Sequence, residues 1–212
     1  MDRKELKAQA KLQIKPHIKN LCLITLIYLC ITLVAELVLG NIPVLGSVAV
    51  SVVITPALTL GFYKVFLRLG DGIEPQIADI FSGFEDFWSA FKVQFLASVF
   101  TFLWMLLLII PGIIKAYSYS MAHYILAENP GMSARECISR SKEMMKGHKM
   151  EFFLLSFSFF GWMLLGALTL GIALVWIMPY MEMTLINFYN RIKPAPAVVD
   201  AAPVEEFPVE EI

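Results

Sequence analysis

The chain has 212 residues, 58% of which are hydrophobic, and its mean hydropathy is +0.69. Soluble domains are only roughly 45–50% apolar. Here the excess lies in long runs, which predicts membrane-spanning helices and excludes one large soluble core. The net charge of -1 indicates no class of partner, because the charges are segregated along the chain. We interpret Cys22, Cys30 and Cys137 as small apolar residues, since no Cys/His spacing suits zinc or a disulfide framework.

Basic residues mark one side of the predicted membrane domain. All of the 17 lysines and arginines except Lys115 precede the first apolar run, follow the last, or lie in segments predicted on the same side. This segregation follows the positive-inside rule, which places basic segments in the cytoplasm. We therefore expect both termini to be cytoplasmic.

Residues 1–20 are predicted to form a basic amphipathic helix. Asp2 and Glu5 have the spacing of a capping box, and Pro16 is expected to end the helix before the membrane. Such a helix suits an anionic inner leaflet. The candidate lipid contacts are Lys4, Lys7, Lys11 and Lys15. The alternative is a plain topology signal without lipid specificity.

Residues 21–190 are predicted to form a polytopic helical membrane domain with about six transmembrane helices, arranged as three antiparallel hairpins. The predicted spans are about 21–39, 44–63, 93–110, 113–127, 152–168 and 172–189. The first has spanning length and no small-residue cleavage site, so we expect it to remain as an anchor. The fourth has the weakest pattern, because it is short and contains Lys115 and His123. We keep it, since otherwise the basic loop after it would face outward.

Two cytoplasmic segments are predicted to be interfacial amphipathic helices. In 76–91, apolar steps of three and four make one aromatic face that includes Trp88, while the opposite side is acidic. In 133–149, Ser133 and Glu136 have capping-box spacing, and the polar face is basic. Its candidate contacts with anionic headgroups are Arg135, Lys142, Lys146 and Lys149. A solvated loop helix is the alternative. Residues 191–212 are rich in Pro, Ala and Glu, which predicts a disordered acidic tail.

Four ionisable residues within the predicted spans are candidates for a polar pathway or for structural pairs, because charges are costly there. Glu36 and Lys115 are both expected near the outer surface, where they form a pair or reach the interface independently. His123 and Glu182 are both expected in the inner half, as a proton-sensitive pair or a structural hydrogen bond.

The sequence contains no recognisable enzyme or nucleic-acid-binding signature. A glycine-rich phosphate loop, an HExxH motif and a nucleophile elbow are all missing from it. We therefore expect a protein that is not an enzyme, with no cofactor and no metal. The expected partners are the lipid bilayer, including anionic lipids, and either a membrane protein or a second copy of the chain. No nucleic-acid partner is expected.

Several stretches resemble one known family. They are Met1 to Lys7, Asp79-Ile80-Phe81-Ser82-Gly83-Phe84, Ile125 to Pro130, Met145-Lys146-Gly147-His148-Lys149, Leu168 to Ile172, and Pro179-Tyr180. Together they resemble the bacterial integral-membrane proteins grouped as domain-of-unknown-function family 975. The resemblance covers nearly the whole chain except the tail. It implies a bacterial inner-membrane protein of several helices and implies no activity or catalytic residues.

Two functional hypotheses follow from these features. The first is a non-catalytic membrane scaffold or interaction protein whose cytoplasmic helices contact the inner leaflet or a partner. The second is a small transporter, permease-like component or toxin-protection protein that uses Glu36, Lys115, His123 and Glu182 as a polar pathway.

Overall fold

The computed structural model describes residues 3–39, 50, 54–107 and 109–194, and every regular element within these ranges is helical. The prediction of an all-α protein is confirmed for this part of the chain. The helices are α1 (Arg3–Ile14), α2 (Ile18–Leu39), α3 (Thr55–Gly70), a 3-10 helix (Ile77–Phe84), α4 (Phe87–Leu107), α5 (Ile109–Tyr119), α6 (Ala122–Glu128), α7 (Ala134–Met144), α8 (Lys149–Phe157), α9 (Phe160–Leu168) and α10 (Leu174–Ile192). The first predicted outward turn and the acidic tail after residue 194 lie outside the described residues.

Three segments of the described chain are long and apolar enough to cross a membrane. They are Ile18–Val38, Phe87–Leu106 and Lys149–Leu168, the last of which combines α8 and α9. They overlap the first, third and fifth predicted spans. The other predicted spans do not meet the same criteria within the described ranges. Their described helices are short (α3), interrupted (α5 and α6) or polar at one end (α10).

The packed core lies at the end of the helices where the basic residues cluster. Helix α3 is central to it, with Leu58, Phe62 and Phe66 almost fully buried. Around α3 pack the 3-10 helix, α6 and α10. Away from this core, the apolar side chains of α2, α4 and α9 are exposed, and Leu168 at the end of α9 is 75% exposed. The described residues therefore form a well-packed basic end and an opposite end whose apolar side chains are largely exposed.

The predicted single helix over 76–91 is instead two elements. Residues Ile77–Phe84 form a 3-10 helix, and the chain then turns and enters α4 at Phe87. Two acidic side chains of this segment, Asp79 and Asp86, form ion pairs with α3, whereas Glu85 is exposed. Asp79 forms an ion pair with Arg68 and also accepts a hydrogen bond from the backbone N–H of Gln76, which caps the 3-10 helix. The charge pairing across elements explains why one continuous α-helix does not form.

The turn between α5 and α6 is held by a buried serine of α7. The Oγ of Ser141 donates to the carbonyl oxygen of Ser118 at 2.8 Å and accepts from the backbone N–H of Met121 at 3.2 Å. Ser141 is fully buried, so one hydroxyl satisfies two backbone groups that the helix break leaves unpaired.

Replacing Ser141 with alanine is expected to lower the free energy of unfolding by about 1–3 kcal/mol, because both backbone groups would then be buried without a partner. Thermal unfolding of the purified protein in detergent measures the effect. The matched control is Ser139→Ala, since Ser139 lies on the same helix and is exposed. Equal stability of the two variants would contradict this role for Ser141.

Candidate functional site

A buried polar cluster lies inside the packed end of the bundle. Tyr124 of α6 donates a hydrogen bond from its hydroxyl to Oε2 of Glu182 on α10, at 3.1 Å. The ring of Tyr63 on α3 lies against the ring of Tyr124, with their centroids 4.5 Å apart. Glu182 is only 7% exposed, so the Tyr124 hydroxyl supplies a hydrogen bond that a buried carboxyl group requires. Three helices therefore meet at one buried carboxyl group.

His123 lies beside this cluster but does not bind Glu182. Its ring packs edge-on to Tyr63, with centroids 6.3 Å apart. Its buried Nε2 has no hydrogen-bond partner among the described residues. The predicted direct contact between His123 and Glu182 is thus replaced by one between Tyr124 and Glu182. The physical reason is the turn at residues 120–121, which sets the rotation of α6 so that Tyr124 faces α10.

The structure does not bring Glu36 and Lys115 together as an ion pair. Glu36 is exposed on α2. The Nζ of Lys115 lies over the ring of Trp104 on α4, 4.6 Å from its centroid. A cation above an indole face is attracted by the ring quadrupole, so Lys115 has a favourable contact without a carboxylate. Of the four predicted pathway residues, only His123 and Glu182 lie near one another.

A clamp joins α3 to the 3-10 helix. We define it as the ion pairs Lys64–Asp86 and Arg68–Asp79 together with Gly61 and Gly83. The Nζ of Lys64 is 2.8 Å from Oδ2 of Asp86 and 3.2 Å from the carbonyl oxygen of Ser82. Between the two elements the backbones touch, because a Cβ added at Gly61 would overlap the carbonyl oxygen of Ile80. A Cβ at Gly83 would overlap the carbonyl oxygen of Ala57.

The N-terminal helix packs on the bundle through its apolar face. Leu6, Ala10 and Ile14 of α1 are buried. The amide of Asn187 on α10 donates to Oε1 of Gln13 at 2.8 Å, and Arg191 forms an ion pair with Glu5 at 3.1 Å. Protein therefore covers the face that the sequence pattern assigned to lipid. Helix α1 ends at Ile14, and Pro16 lies in the turn that separates it from α2.

The docking of α1 divides its lysines into two groups. The Nζ of Lys7 lies 4.2 Å from the ring centroid of Phe159, and burial, helped by the charge of Arg3, lowers the pKa of Lys7 below its usual value. The side chains of Lys4, Lys11 and Lys15 are exposed. Lys7 therefore serves the packing of α1, while Lys11 and Lys15 lie at the surface beside α9 and α10.

The other predicted inner-leaflet contacts are spread over the basic end. Arg135 and Lys146 are exposed, and Lys149 is partly buried. The Nζ of Lys142 lies 5.5 Å from the ring centroid of Tyr119, and Trp88 in the first turn of α4 is 68% exposed. Helix α7 begins at Ala134, where the Ser133 hydroxyl accepts the backbone N–H of Glu136, and ends at Met144, before the predicted boundary.

An open cleft of about 680 Å³ lies between the end of α6, α7 and the end of α10. Glu128 is central to it, because its carboxylate accepts the hydroxyl of Tyr189 at 2.6 Å and pairs with Lys193. The cleft also contains Arg140, Glu143, Lys146 and His148. Acidic and basic side chains are therefore mixed along this cleft.

Sequence reasoning did not identify four residues that organise the site: Tyr63, Tyr124, Glu128 and Tyr189. Each tyrosine hydroxyl needs a partner when it is buried, so tyrosines within a predicted span were the available signal. The partners themselves come from helices far apart in sequence, and no local spacing indicates them. Glu128 follows the predicted span and has no periodic neighbour that would mark it.

The Cys137 thiol is expected to react slowly, which agrees with its interpretation as a small apolar residue. Burial, with the nearby Glu136 charge, raises the pKa of Cys137 to about 11 from 9.0. The pKa of the Cys137 thiol is higher in the folded protein than in the unfolded chain. The contribution of the protonated thiol to the free energy of unfolding is therefore present below pH 9 and is lost as the pH rises toward 11.

With Cys22 and Cys30 replaced by alanine, maleimide labelling of native Cys137 at pH 8 should be about a hundredfold slower than in detergent-denatured protein. The native rate should rise about tenfold per pH unit toward pH 11. Equal native and denatured rates at pH 8 would contradict the protected position of this thiol.

The regular elements of the described residues are all helical, and they include three apolar segments of membrane-spanning length and a polar, well-packed end. The chain belongs to the family described as "Protein of unknown function (DUF975)", whose model matches residues 1–118 and 105–195. The predicted family membership is confirmed. No curated protein and no solved structure matches the chain.

Proposed function

We propose that the protein is a polytopic bacterial inner-membrane scaffold, without catalytic activity, that crosses the membrane six times with both termini in the cytoplasm. Its cytoplasmic end is a rigid surface that binds anionic lipids and a membrane partner. We call this surface, which includes the exposed lysines, Phe84 and Trp88, the platform. The supporting observation is the division of the described residues into a packed basic end and an end with exposed apolar side chains. Leu106 is 74% exposed and Leu170 is 94% exposed. Such exposure is unfavourable in water but not in lipid tails.

The platform is supported by how the charged residues at the basic end are used. Lys64 and Arg68 bind the 3-10 helix, Arg191 binds α1, and Glu128 binds the end of α10. Each of these contacts fixes one element against another. The exposed lysines and Trp88 then lie on a preorganised surface, which suits binding to a membrane or to a partner.

The topology is tested by labelling single cysteines in intact cells. In a chain without its native cysteines, Asn41→Cys should react with a membrane-impermeant maleimide, and Ser133→Cys should react only after the membrane is opened. Labelling of both residues from the same side would contradict six crossings. Extraction of the unlabelled protein by alkaline carbonate would contradict membrane integration itself.

Transport is the second candidate function, and one observation favours it. The buried Nε2 of His123 has no partner among the described residues and lies beside Tyr63, close to the Tyr124–Glu182 pair. Buried polar groups with unused hydrogen-bonding capacity occur where a substrate or ion passes.

One complementation experiment separates the two candidates. In a strain that lacks the protein, Phe84→Ser/Trp88→Ser removes exposed aromatic residues of the platform, and His123→Gln/Glu182→Gln removes the polar cluster. The scaffold proposal predicts that only the Phe84→Ser/Trp88→Ser variant fails to restore the wild-type phenotype to this strain. Transport predicts that only the second fails. Both variants must reach the membrane at wild-type level, measured by immunoblotting.

A further inference from the structure

A second groove, of about 460 Å³, differs from the cleft at Glu128 in its chemistry. It lies between α1, α9 and α10. Its walls are apolar and aromatic, with Ile14, Trp162, Trp176 and Ile177 among the lining residues, while Lys11 and Lys15 lie on the α1 side. Among the described residues, no acidic side chain lines this groove, so its two cations have no opposing charge from them.

The packing of α1 determines the position of these lysines. Because Leu6, Ala10 and Ile14 are buried and Gln13 binds Asn187, the helix cannot rotate freely about its axis. Lys11 lies on α1 and Lys15 directly follows its last residue. The backbone N–H of Lys15 donates to the carbonyl oxygen of Lys11 at 3.2 Å, so the two side chains share one helical face. Neither takes part in an ion pair among the described residues.

The aromatic side of the groove remains open. Trp162 is 49% exposed and Trp176 is 58% exposed. Under the proposed crossings both indole rings lie at the depth of the acyl chains, and lysines reach toward phosphates while their stems cover apolar surface. The combination of two adjacent cations and an aromatic, apolar channel matches one kind of ligand, an anionic amphiphile with a phosphate head and an acyl chain.

We infer that this groove binds one anionic phospholipid of the inner leaflet. Its phosphate lies at Lys11 and Lys15, and one acyl chain lies along Trp162, Trp176 and Ile177. The groove volume is within the roughly 300–1,000 Å³ of ligand pockets. A zwitterionic lipid is a poorer ligand, because its quaternary ammonium group adds a positive charge near the two lysines. The inference rests on the membrane placement proposed above.

Quenching of the two groove tryptophans by brominated lipid tests this directly. The full chain carries Trp88→Phe and Trp104→Phe, so that Trp162 and Trp176 are the reporters. It is reconstituted in phosphatidylcholine vesicles with increasing amounts of brominated phosphatidylglycerol or of brominated phosphatidylcholine. Since each of the two lysines contributes about 1 kcal/mol near an anionic lipid, and about 1.4 kcal/mol is a factor of ten in affinity, phosphatidylglycerol should reach half-maximal quenching at about a thirtyfold lower mole fraction.

Matched variants distinguish the groove from general surface attraction. Lys11→Gln/Lys15→Gln should bring the two lipids to equal quenching, and Lys11→Arg/Lys15→Arg should keep the preference. The control Arg135→Gln/Lys146→Gln removes the same charge from exposed positions outside the groove and should also keep it. Size-exclusion profiles establish that the variants are folded.

Three results would overturn the inference. They are equal quenching of the reporter protein by both lipids, loss of the preference in the Arg135/Lys146 control to the same extent, and a preference that appears only when Glu205, Glu206, Glu210 and Glu211 are changed to Gln. The last result would mean that these glutamates of the chain itself, and not a lipid, occupy the groove in the wild-type protein. Any of them can occur in a protein that still labels with six crossings, so this failure is distinct from failure of the membrane placement.

Discussion

Replacing Gly83 with alanine is expected to lower the free energy of unfolding by about 3 kcal/mol or more. A Cβ at this position would overlap the carbonyl oxygen of Ala57 and approach the backbone nitrogen of Gly61. Overpacking usually costs roughly 1–3 kcal/mol, and here the obstacle is backbone, which cannot move aside as a flexible side chain can. Gly61→Ala should behave in the same way, because its Cβ would overlap the carbonyl oxygen of Ile80.

The chain offers a matched control for this prediction. Gly161 lies within α9, and a Cβ added there would meet no atom within 4 Å. Gly161→Ala should leave stability unchanged or raise it by up to about 1 kcal/mol, because alanine favours helix. Thermal unfolding in detergent and the fraction of monodisperse protein are the measurements. A Gly83→Ala protein as stable as the Gly161→Ala protein would contradict the close contact between α3 and the 3-10 helix.

The sequence alone predicts only one half of the contact between α3 and the 3-10 helix. The spacing of Ala57 and Gly61 predicts a small face on a helix, and that face exists. Its partner is a 3-10 helix that contains Gly83, and no periodic pattern links residues 61 and 83. Steps of three and four in 76–91 suit one turn of either helix type, so periodicity did not separate a 3-10 helix from an α-helix.

The buried polar cluster contains a second contact that the sequence alone did not predict. Glu182 and the α6 region are correctly placed near each other by the predicted spans, but His123 was selected in place of Tyr124. Neighbouring residues on a helix point about 100° apart, so a turn that sets where α6 begins decides which residue faces Glu182. That turn depends on Ser141 of α7, which is distant in sequence. Apolar runs and the formation of helices are local properties and were predictable, whereas the rotation of a helix and the choice of its partner depend on tertiary contacts.

The packing of the N-terminal helix α1 bears on the proposed function. Residues Arg3–Ile14 form a helix, and its buried Leu6, Ala10 and Ile14 pack on the bundle, chiefly against α10. The consequence is functional, because docking fixes Lys11 and Lys15 beside Trp162 and Trp176. A freely bound surface helix would present all its lysines to the leaflet equally. A docked helix presents Lys11 and Lys15 at one groove. We therefore expect the Lys11/Lys15 variant and the Arg135/Lys146 control to differ in the quenching experiment.

The second large effect is expected at the Lys64–Asp86 ion pair. Both side chains are mostly buried, with 13% and 22% exposure, and the Nζ of Lys64 is 2.8 Å from Oδ2 of Asp86. Removing one partner leaves the other charge poorly solvated, so Lys64→Met and Asp86→Asn should each lower the free energy of unfolding by about 2–4 kcal/mol. The double variant should lose less than the sum, with a coupling energy of about 1–2 kcal/mol.

The Arg140–Glu136 pair is the control, because it has nearly the same length, 2.9 Å, but its side chains are 54% and 48% exposed. The same cycle with Arg140→Met and Glu136→Gln should give a coupling energy of only about 0.3–0.5 kcal/mol, since solvent screens the charges. Chemical unfolding in mixed micelles measures both cycles. If the two coupling energies are equal, burial does not strengthen the Lys64–Asp86 pair, and the 3-10 helix is held on α3 by the Arg68–Asp79 pair and the glycine contacts.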